Sequence, residues 1–399
     1  MTFHLLFDLD DTLLDSNIES LVPVYFQKLA AHLADLVPPD RMLSELMRST
    51  MTMYRNLRPD QTLEDVFSAE FYAPLGISRE ALADRIEQFY DEIFPTLQSL
   101  TRPRPEAIAL VEWALSRGWQ VSVATDPLFP RKAILHRLRW AGLPPESYPF
   151  RLISDFQTFH FAKASVSYFA EFLGQLGWDG EAPVLMVGDS IERDVVPARQ
   201  AGIPVFWLRS AGQSAPEAEG IPQGTLSDLR KFLETVDIST LKAEISSPSA
   251  LLAALHATPA LVHHLTRILP LNYWTVRPAS ESWALTEILC HLRDVETEVN
   301  LARVEAVLSA ENPILSGQDT DPWAEQRHYR EQDGRAAFQA FLAARTQLTE
   351  RLKPLTLQEW ERPARHTILG PTHLRELVSF MVEHDRIHFR QGQQTIAAL

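Results

Sequence analysis

Short apolar runs separated by amphipathic stretches mark the first part of the chain. The runs occupy residues 3–7, 121–124, 152–153, 184–187 and 205–208. Each is short enough to be a strand covered on both faces. Apolar positions at helical spacing lie between most of them, which predicts a parallel sheet flanked by helices. The interval from about 16 to 100 differs. Helical patterns such as residues 62–71 and 78–94 recur there with no strand between them, so it reads as a helical insertion.

From about residue 247 no strand pattern recurs. Four helical stretches, about 248–269, 285–310, 335–352 and 372–398, predict a bundle. The first is expected to kink or break near Pro259, which has no N–H to donate. The expected architecture is therefore α/β followed by all-α. A Rossmann-like parallel sheet with an inserted helical cap (about 16–100) fills residues 1–235, a linker spans 236–246, and a four-helix bundle fills 247–399.

Composition narrows the functional classes. With 45% apolar and 22% charged residues, the 399-residue chain can build packed cores. A formal net charge of −15 argues against nucleic acid and anionic membranes as partners. The single cysteine, Cys290, permits no intramolecular disulfide and fits a reducing cytoplasm, the expected location. No stretch approaches a transmembrane span. The first residues read as a buried strand rather than a signal peptide.

Acidic residues collect where the apolar runs stop. The first run leads into Phe7-Asp8-Leu9-Asp10-Asp11-Thr12, the second into Thr125-Asp126, and the fourth into Gly188-Asp189-Ser190 with Asp194 five positions after Asp189. Lys163 follows the third. Ligands of open α/β sheets bind beyond the carboxyl ends of the strands. A cluster of Asp8, Asp189 and Asp194 is chemically sensible around a hard cation such as Mg2+, which takes oxygen ligands and bridges carboxylates to phosphate. Asp8 could then attack phosphorus and Asp10 could move protons. Thr125 could bind phosphoryl oxygens, and Lys163 could balance developing charge. Taken singly, an Asp-x-Asp or a Gly-Asp-Ser is an ordinary turn or cap.

Together, Asp8-x-Asp10-x-Thr12, Thr125, Lys163 and Gly188-Asp189-Ser190-x-x-x-Asp194 resemble the four motifs of the haloacid dehalogenase superfamily, over about residues 1–235. The resemblance implies Asp8 as nucleophile and Asp10 as general acid/base with its backbone carbonyl on Mg2+. It implies Thr125 as a phosphate-binding residue, Lys163 as a support for nucleophile and phosphate, Asp189 as a Mg2+ ligand, and Asp194 as its support, directly or through water. It also implies a small phosphorylated metabolite as substrate. Dehalogenases of the superfamily generally lack the second aspartate, because a halide needs no proton; Asp10 therefore points to a phosphatase. Two departures stand out: Asp126 replaces a frequent Asn, and Ala164-Ser165 follows Lys163 where many members carry Pro. In the cap, Tyr54, Arg55, Asn56 and Arg58 read either as substrate-facing or, more simply, as a solvated loop before Pro59.

Nine of the 13 histidines fall after residue 250. His384 and His388 are four apart, so a helix would place them on one face, and His291 sits on another predicted helix among apolar residues. Such a trio could meet one metal ion inside a bundle. The stretches around His291 and around Glu383-His384-Asp385-Arg386-Ile387-His388 resemble the DinB-like four-helix family, over about 247–399. That resemblance implies a three-histidine site for Zn2+, Ni2+, Fe2+ or Mn2+. The remaining histidines there (256, 263, 264, 328, 366 and 373) read as surface or cap residues. Three readings of the whole stay open: a phosphatase fused to a metal-binding bundle, a phosphatase whose bundle serves regulation or homodimerisation, or a thiol-dependent transferase bundle with an accessory first domain.

Overall fold

In the computed structural model, which describes residues 2–209 and 212–399, the first apolar run becomes β1 (His4–Phe7), buried along its whole length. It is joined in a parallel sheet by β2 (Gln120–Val123), β3 (Val184–Gly188), β4 (Val205–Leu208) and β5 (Gln223–Gly224), in the order β2-β1-β3-β4-β5. β1 pairs His4 with Gln120 on one side and with Val184 on the other, in continuous register to Phe7. The carboxyl ends of β1, β2 and β3 therefore lie side by side.

One sheet expectation is corrected, and one strand is added. Residues 152–153 form no strand; Ile153 makes a single bridge to Val123. The edge strand β5 has no apolar run and was invisible to the pattern. The sheet's flanking helices include α5 (Pro105–Ser116), α6 (Arg131–Trp140), α7 (Val166–Leu176) and α8 (Leu226–Thr235).

Between β1 and β2 the insertion is helical, as expected: α1 (Ile18–His32), α2 (Pro39–Tyr54), α3 (Leu63–Leu75) and α4 (Arg79–Gln88). Local chemistry sets their ends. Thr62 and Asp65 form a reciprocal cap at the start of α3, and Gly76, at φ 71°, ends it. A two-strand ribbon, Leu14–Asp15 with Arg102–Pro103, joins the chain's entry to and exit from the insertion. The segment 236–246, expected as a linker, is partly folded: Leu241 is buried in the first unit's core and its carbonyl accepts from Val184 N at 2.8 Å.

The second unit, mainly residues 244–399, contains α9 (Pro248–Ile268), α10 (Leu285–Asp294), α11 (Gly334–Leu352) and α12 (Leu374–Ala397). α10 continues through a wide turn at Val295–Asn300 into Leu301–Ser309. α9 packs on α11 and α12, and α10 packs on α11.

Pro259 does not break α9. The carbonyl its missing N–H leaves unpaired, that of Leu255, accepts instead from Arg345 Nη1 at 3.0 Å. A small three-stranded sheet, Ile314–Leu315, Pro363–His366 and Gly370–His373, also interrupts the all-helical expectation. No helix among the described residues is long and apolar enough to cross a membrane.

Candidate functional sites

Asp8 follows directly on β1 and Asp189 on β3, and Thr125 comes two residues after β2, so the sheet alone brings all three to one edge. Asp194 reaches the same place from the turn after β3. Its Oδ2 accepts from Ser190 N at 2.8 Å, and a side chain on Gly188 would collide with its carboxyl group, a Cβ there lying 2.3 Å from Cγ. The carboxylate oxygens of Asp8, Asp189 and Asp194 lie within 4.8 Å of one another. Thr12 Oγ1 donates to Asp189 Oδ1 at 3.4 Å.

Lys163 is fully buried. Its ammonium donates to Asp8 Oδ1 at 2.5 Å and also pairs with Asp194. Burial works against its charge, but Asp194 and Asp8 outweigh that and raise its pKa. One ammonium does not balance this many carboxylates. Desolvation pushes Asp8 well above the usual carboxylate range, Lys163 pulls it back, and Asp194, Asp189 and Asp10 push it up again. Asp189 is pushed up to about 6, first by burial and then by Asp194. Buried like charges held this closely are what a divalent cation would relieve. The oxygen-only donor set suits Mg2+.

Thr125 is held from behind, its carbonyl accepting from Ser154 Oγ at 2.8 Å and Tyr168 Oη at 2.9 Å. Asp126 takes Lys163 N at 3.1 Å on its Oδ1 and so ties two site loops together. Asp10 faces differently. Its Oδ2 is paired with Arg137, a buried residue of α6 whose guanidinium also lies 4.1 Å from the centre of the Phe129 ring. Asp10 Oδ1 is buried without a hydrogen-bond partner.

Sequence reasoning missed Arg137, since nothing marks it apart from its position on the helix after Thr125. It also missed Arg193, which faces the same cavity as the acids; its place one residue before Asp194 was the available signal. Among the cap residues, Tyr54 and Arg58 are exposed, Arg58 pairs with Asp60, and Asn56 is buried against the carbonyls of Arg58 and His160. The simpler reading of a solvated segment fits Tyr54, Arg55 and Arg58, and Asn56 departs from it.

In the second unit, α10 carries His291 and α12 carries His384 and His388. One nitrogen from each lies within 4.8 Å of the others, and the Nε2 atoms of His291 and His384 are 3.0 Å apart. Gln391 Oε1 sits 2.9 Å from His388 Nδ1, which suits a tautomer donating there and leaves Nε2 for an ion. Trp283 stacks on the His388 ring. His291 is pushed down to about 2, by burial first and then by His388 and His384; His388 is pushed down to about 4 by burial and His384. Both are neutral at pH 7, the state that binds metals. The three-nitrogen set fits a borderline cation.

Behind it, buried Arg345 pairs with both Glu296 and Asp385. A cavity of about 280 Å³ opens beside His384 and is lined in part by His366, Arg303 and Phe380. His366 is therefore corrected from surface to buried, whereas His373 caps α12 through Glu376 N.

The molecule thus combines an α/β unit bearing an acid-and-lysine cluster with a helical bundle bearing an imidazole cluster. Residues 4–202 match the family model of haloacid dehalogenase-like hydrolases, and residues 254–391 match that of the DinB superfamily. The chain is accordingly a fusion of a haloacid dehalogenase-like hydrolase domain and a DinB-superfamily domain.

Similar solved structures include a 2-haloacid dehalogenase from Pseudomonas syringae (22% identity, 59% of this chain, 99% of that one, TM-score 0.42). A phosphatase of the same superfamily from Thermococcus onnurineus aligns at 19% identity, over 58% of this chain and 97% of that one, with TM-score 0.38. The four-helix-bundle protein YfiT of Bacillus subtilis aligns at 17%, over 37% and 85%, with TM-score 0.35. No curated protein matches the chain.

Proposed function

We propose that the first unit is a Mg2+-dependent phosphomonoester hydrolase working through a phospho-aspartyl intermediate on Asp8. The observation that carries this reading is the buried cluster of Asp8, Asp189, Asp194 and Lys163 at the open edge of the sheet. Asp8 and Asp189, with the Asp10 carbonyl, would hold Mg2+, and Asp194 would support them. The ion, when bound, supplies positive charge shared between these carboxylates and the phosphoryl oxygens.

The protein's own groups do the rest. Asp8 attacks phosphorus in line with the ester oxygen, and that oxygen leaves with a proton from Asp10. Arg137 occupies Asp10 Oδ2 and leaves Oδ1 for this transfer. Asp10, now a carboxylate, accepts a proton from the water that then releases phosphate from Asp8. Lys163 holds Asp8 in place and, with Thr125 and Arg193, faces the phosphoryl group. The test is phosphate release from a broad panel of phosphomonoesters by the full chain with Mg2+, with Asp8→Asn as control. Release from several members, absent in the variant, is expected; release from none contradicts the reading.

For the second unit, the same reasoning supports a transition-metal site on His291, His384 and His388, beside the cavity that His384 lines. Elemental analysis of the chain purified without added metal should find about one equivalent, lost in His384→Ala. Equal metal content in the two proteins would contradict the site.

A further inference from the structure

The acid cluster opens into a cavity of about 520 Å³ enclosed between it and the inner faces of the inserted helices, far more room than a phosphate group requires. Its lining differs in character between the sheet's loops and the insertion. The loops bring the carboxylates with Lys163 and Arg193. The insertion brings mainly apolar groups, among them Leu29, Leu33, Leu46, Phe67 and Phe71, and Phe129 adds a further ring.

Two of the phenols in that lining are already partnered with each other. Tyr25 Oη and Tyr90 Oη are buried and hydrogen-bonded to each other at 2.6 Å. Burial also pushes the Tyr25 phenol up to about 12, so it stays neutral.

Charge points the same way. No lysine, arginine or histidine of the insertion lines the cavity among the described residues. The insertion's charged groups there are Glu19 and Glu64, and Glu64 is held by Arg79 at 2.6 Å. A second anionic group on the substrate would meet repulsion, and a row of sugar hydroxyls would lose water against walls that offer few partners, chiefly Thr50, Ser68 and Tyr72. An aromatic ring or alkyl chain would instead bury its surface against like surface.

We propose that this cavity takes phosphomonoesters whose alcohol is an uncharged aryl or alkyl group, in preference to sugar phosphates and carboxylate-bearing phosphates. The proposal rests on the phosphatase reading of Asp8 and specifies the substrate class of that same site. The division of labour is spatial: the sheet edge recognises and cleaves phosphate, and the insertion selects the carbon skeleton.

The experiment compares phenethyl phosphate with glucose 6-phosphate and phosphoglycolate, using the full chain and Mg2+. The expected kcat/KM for phenethyl phosphate exceeds both by at least about tenfold. Phe67→Asn, at a ring that is only partly buried, should raise KM for phenethyl phosphate more than it lowers kcat, and should narrow the ratio over glucose 6-phosphate at least about threefold. Equal or better turnover of either polar ester overturns the proposal, as does a ratio unmoved by Phe67→Asn.

If no ester is cleaved, calorimetry with phenethylphosphonate and inorganic phosphate decides. Tighter binding of the phosphonate, weakened by Phe67→Asn, upholds the apolar site while the phosphatase reading fails. Equal binding of the two overturns the substrate class as well.

Discussion

The carboxylate cluster of the first unit and the imidazole cluster of the second are both crowds of like donors, yet burial acts on them in opposite senses. Desolvation raises the pKa of Asp8 and Asp189, so protons compete for the oxygens that a hard cation would use. Desolvation lowers the pKa of His291 and His388, so protons are already excluded from the nitrogens. The first site carries surplus negative charge with one buried lysine against it. At the second, buried Arg345 is paired with Glu296 and Asp385, and Asp385 Oδ1 also lies 4.0 Å from His384 Nδ1. On the proposed reading, the oxygen set suits Mg2+ and the nitrogen set a borderline metal.

The largest effect separating the two sites should come from Asp8→Asn. It is expected to lower phosphate release on the order of 10^4-fold or more, as loss of a covalent nucleophile does, while the metal content of the second unit is unchanged. Steady-state kinetics and elemental analysis on the same preparation check both halves.

Next is Arg345→Met. It strands Glu296 and Asp385 in the interior and frees the Leu255 carbonyl behind Pro259. Breaking one partner of a buried ion network costs about 3–5 kcal/mol, to be read from urea unfolding of the second unit. A loss under about 1 kcal/mol would mean the network is not closed as described.

Gln391→Leu should weaken transition-metal binding by about tenfold, because the His388 ring loses the partner that fixes its tautomer; chelator competition reads this directly.

The smallest effect is in pH. The raised pKa of Asp189 means the folded metal-free state holds a proton that the unfolded chain has lost, in the window from about 4 to about 6. That contribution to stability is present at low pH and lost as pH rises through about 6. Mg2+ takes the proton's place, so protonation of Asp189 by itself should lower its affinity about fourfold between pH 7.5 and 5.5, and Asp8 should add to the fall. For His291 and His388 the sign reverses. The unfolded imidazoles take up protons below about 6.5 while the folded ones stay neutral, so their contribution is lost as pH falls. A Mg2+-induced thermal shift that is larger at pH 5.5 than at 7.5 would break the contrast.

Much of this comparison is written locally in the sequence. Asp8, Thr125 and Asp189 are each the first polar position after a buried apolar run, and a parallel sheet brings such positions together without further information. His384 and His388 share a helical face by spacing alone. What the sequence concealed depends on partners far along the chain. Pro259 reads as a break because the guanidinium that repairs it belongs to Arg345, 90 positions from the Leu255 carbonyl it satisfies. Arg137 is one arginine among several on α6 until the fold sets it against Asp10. His366 looked exposed because it lies on a strand of four residues whose sheet has no apolar alternation long enough to see. The edge strand Gln223–Gly224 is set by register against Trp207 and Leu208 rather than by its own residues.

The central claim is that Asp8 becomes covalently phosphorylated during turnover. Acid-quenching the full chain in the steady state with phenethyl phosphate and Mg2+, followed by peptide mass spectrometry, tests it directly. The account predicts phosphate on the peptide containing Asp8, removed by hydroxylamine and missing in Asp8→Asn. Steady turnover with no phosphorylated peptide, or with the phosphate on another residue, would contradict it.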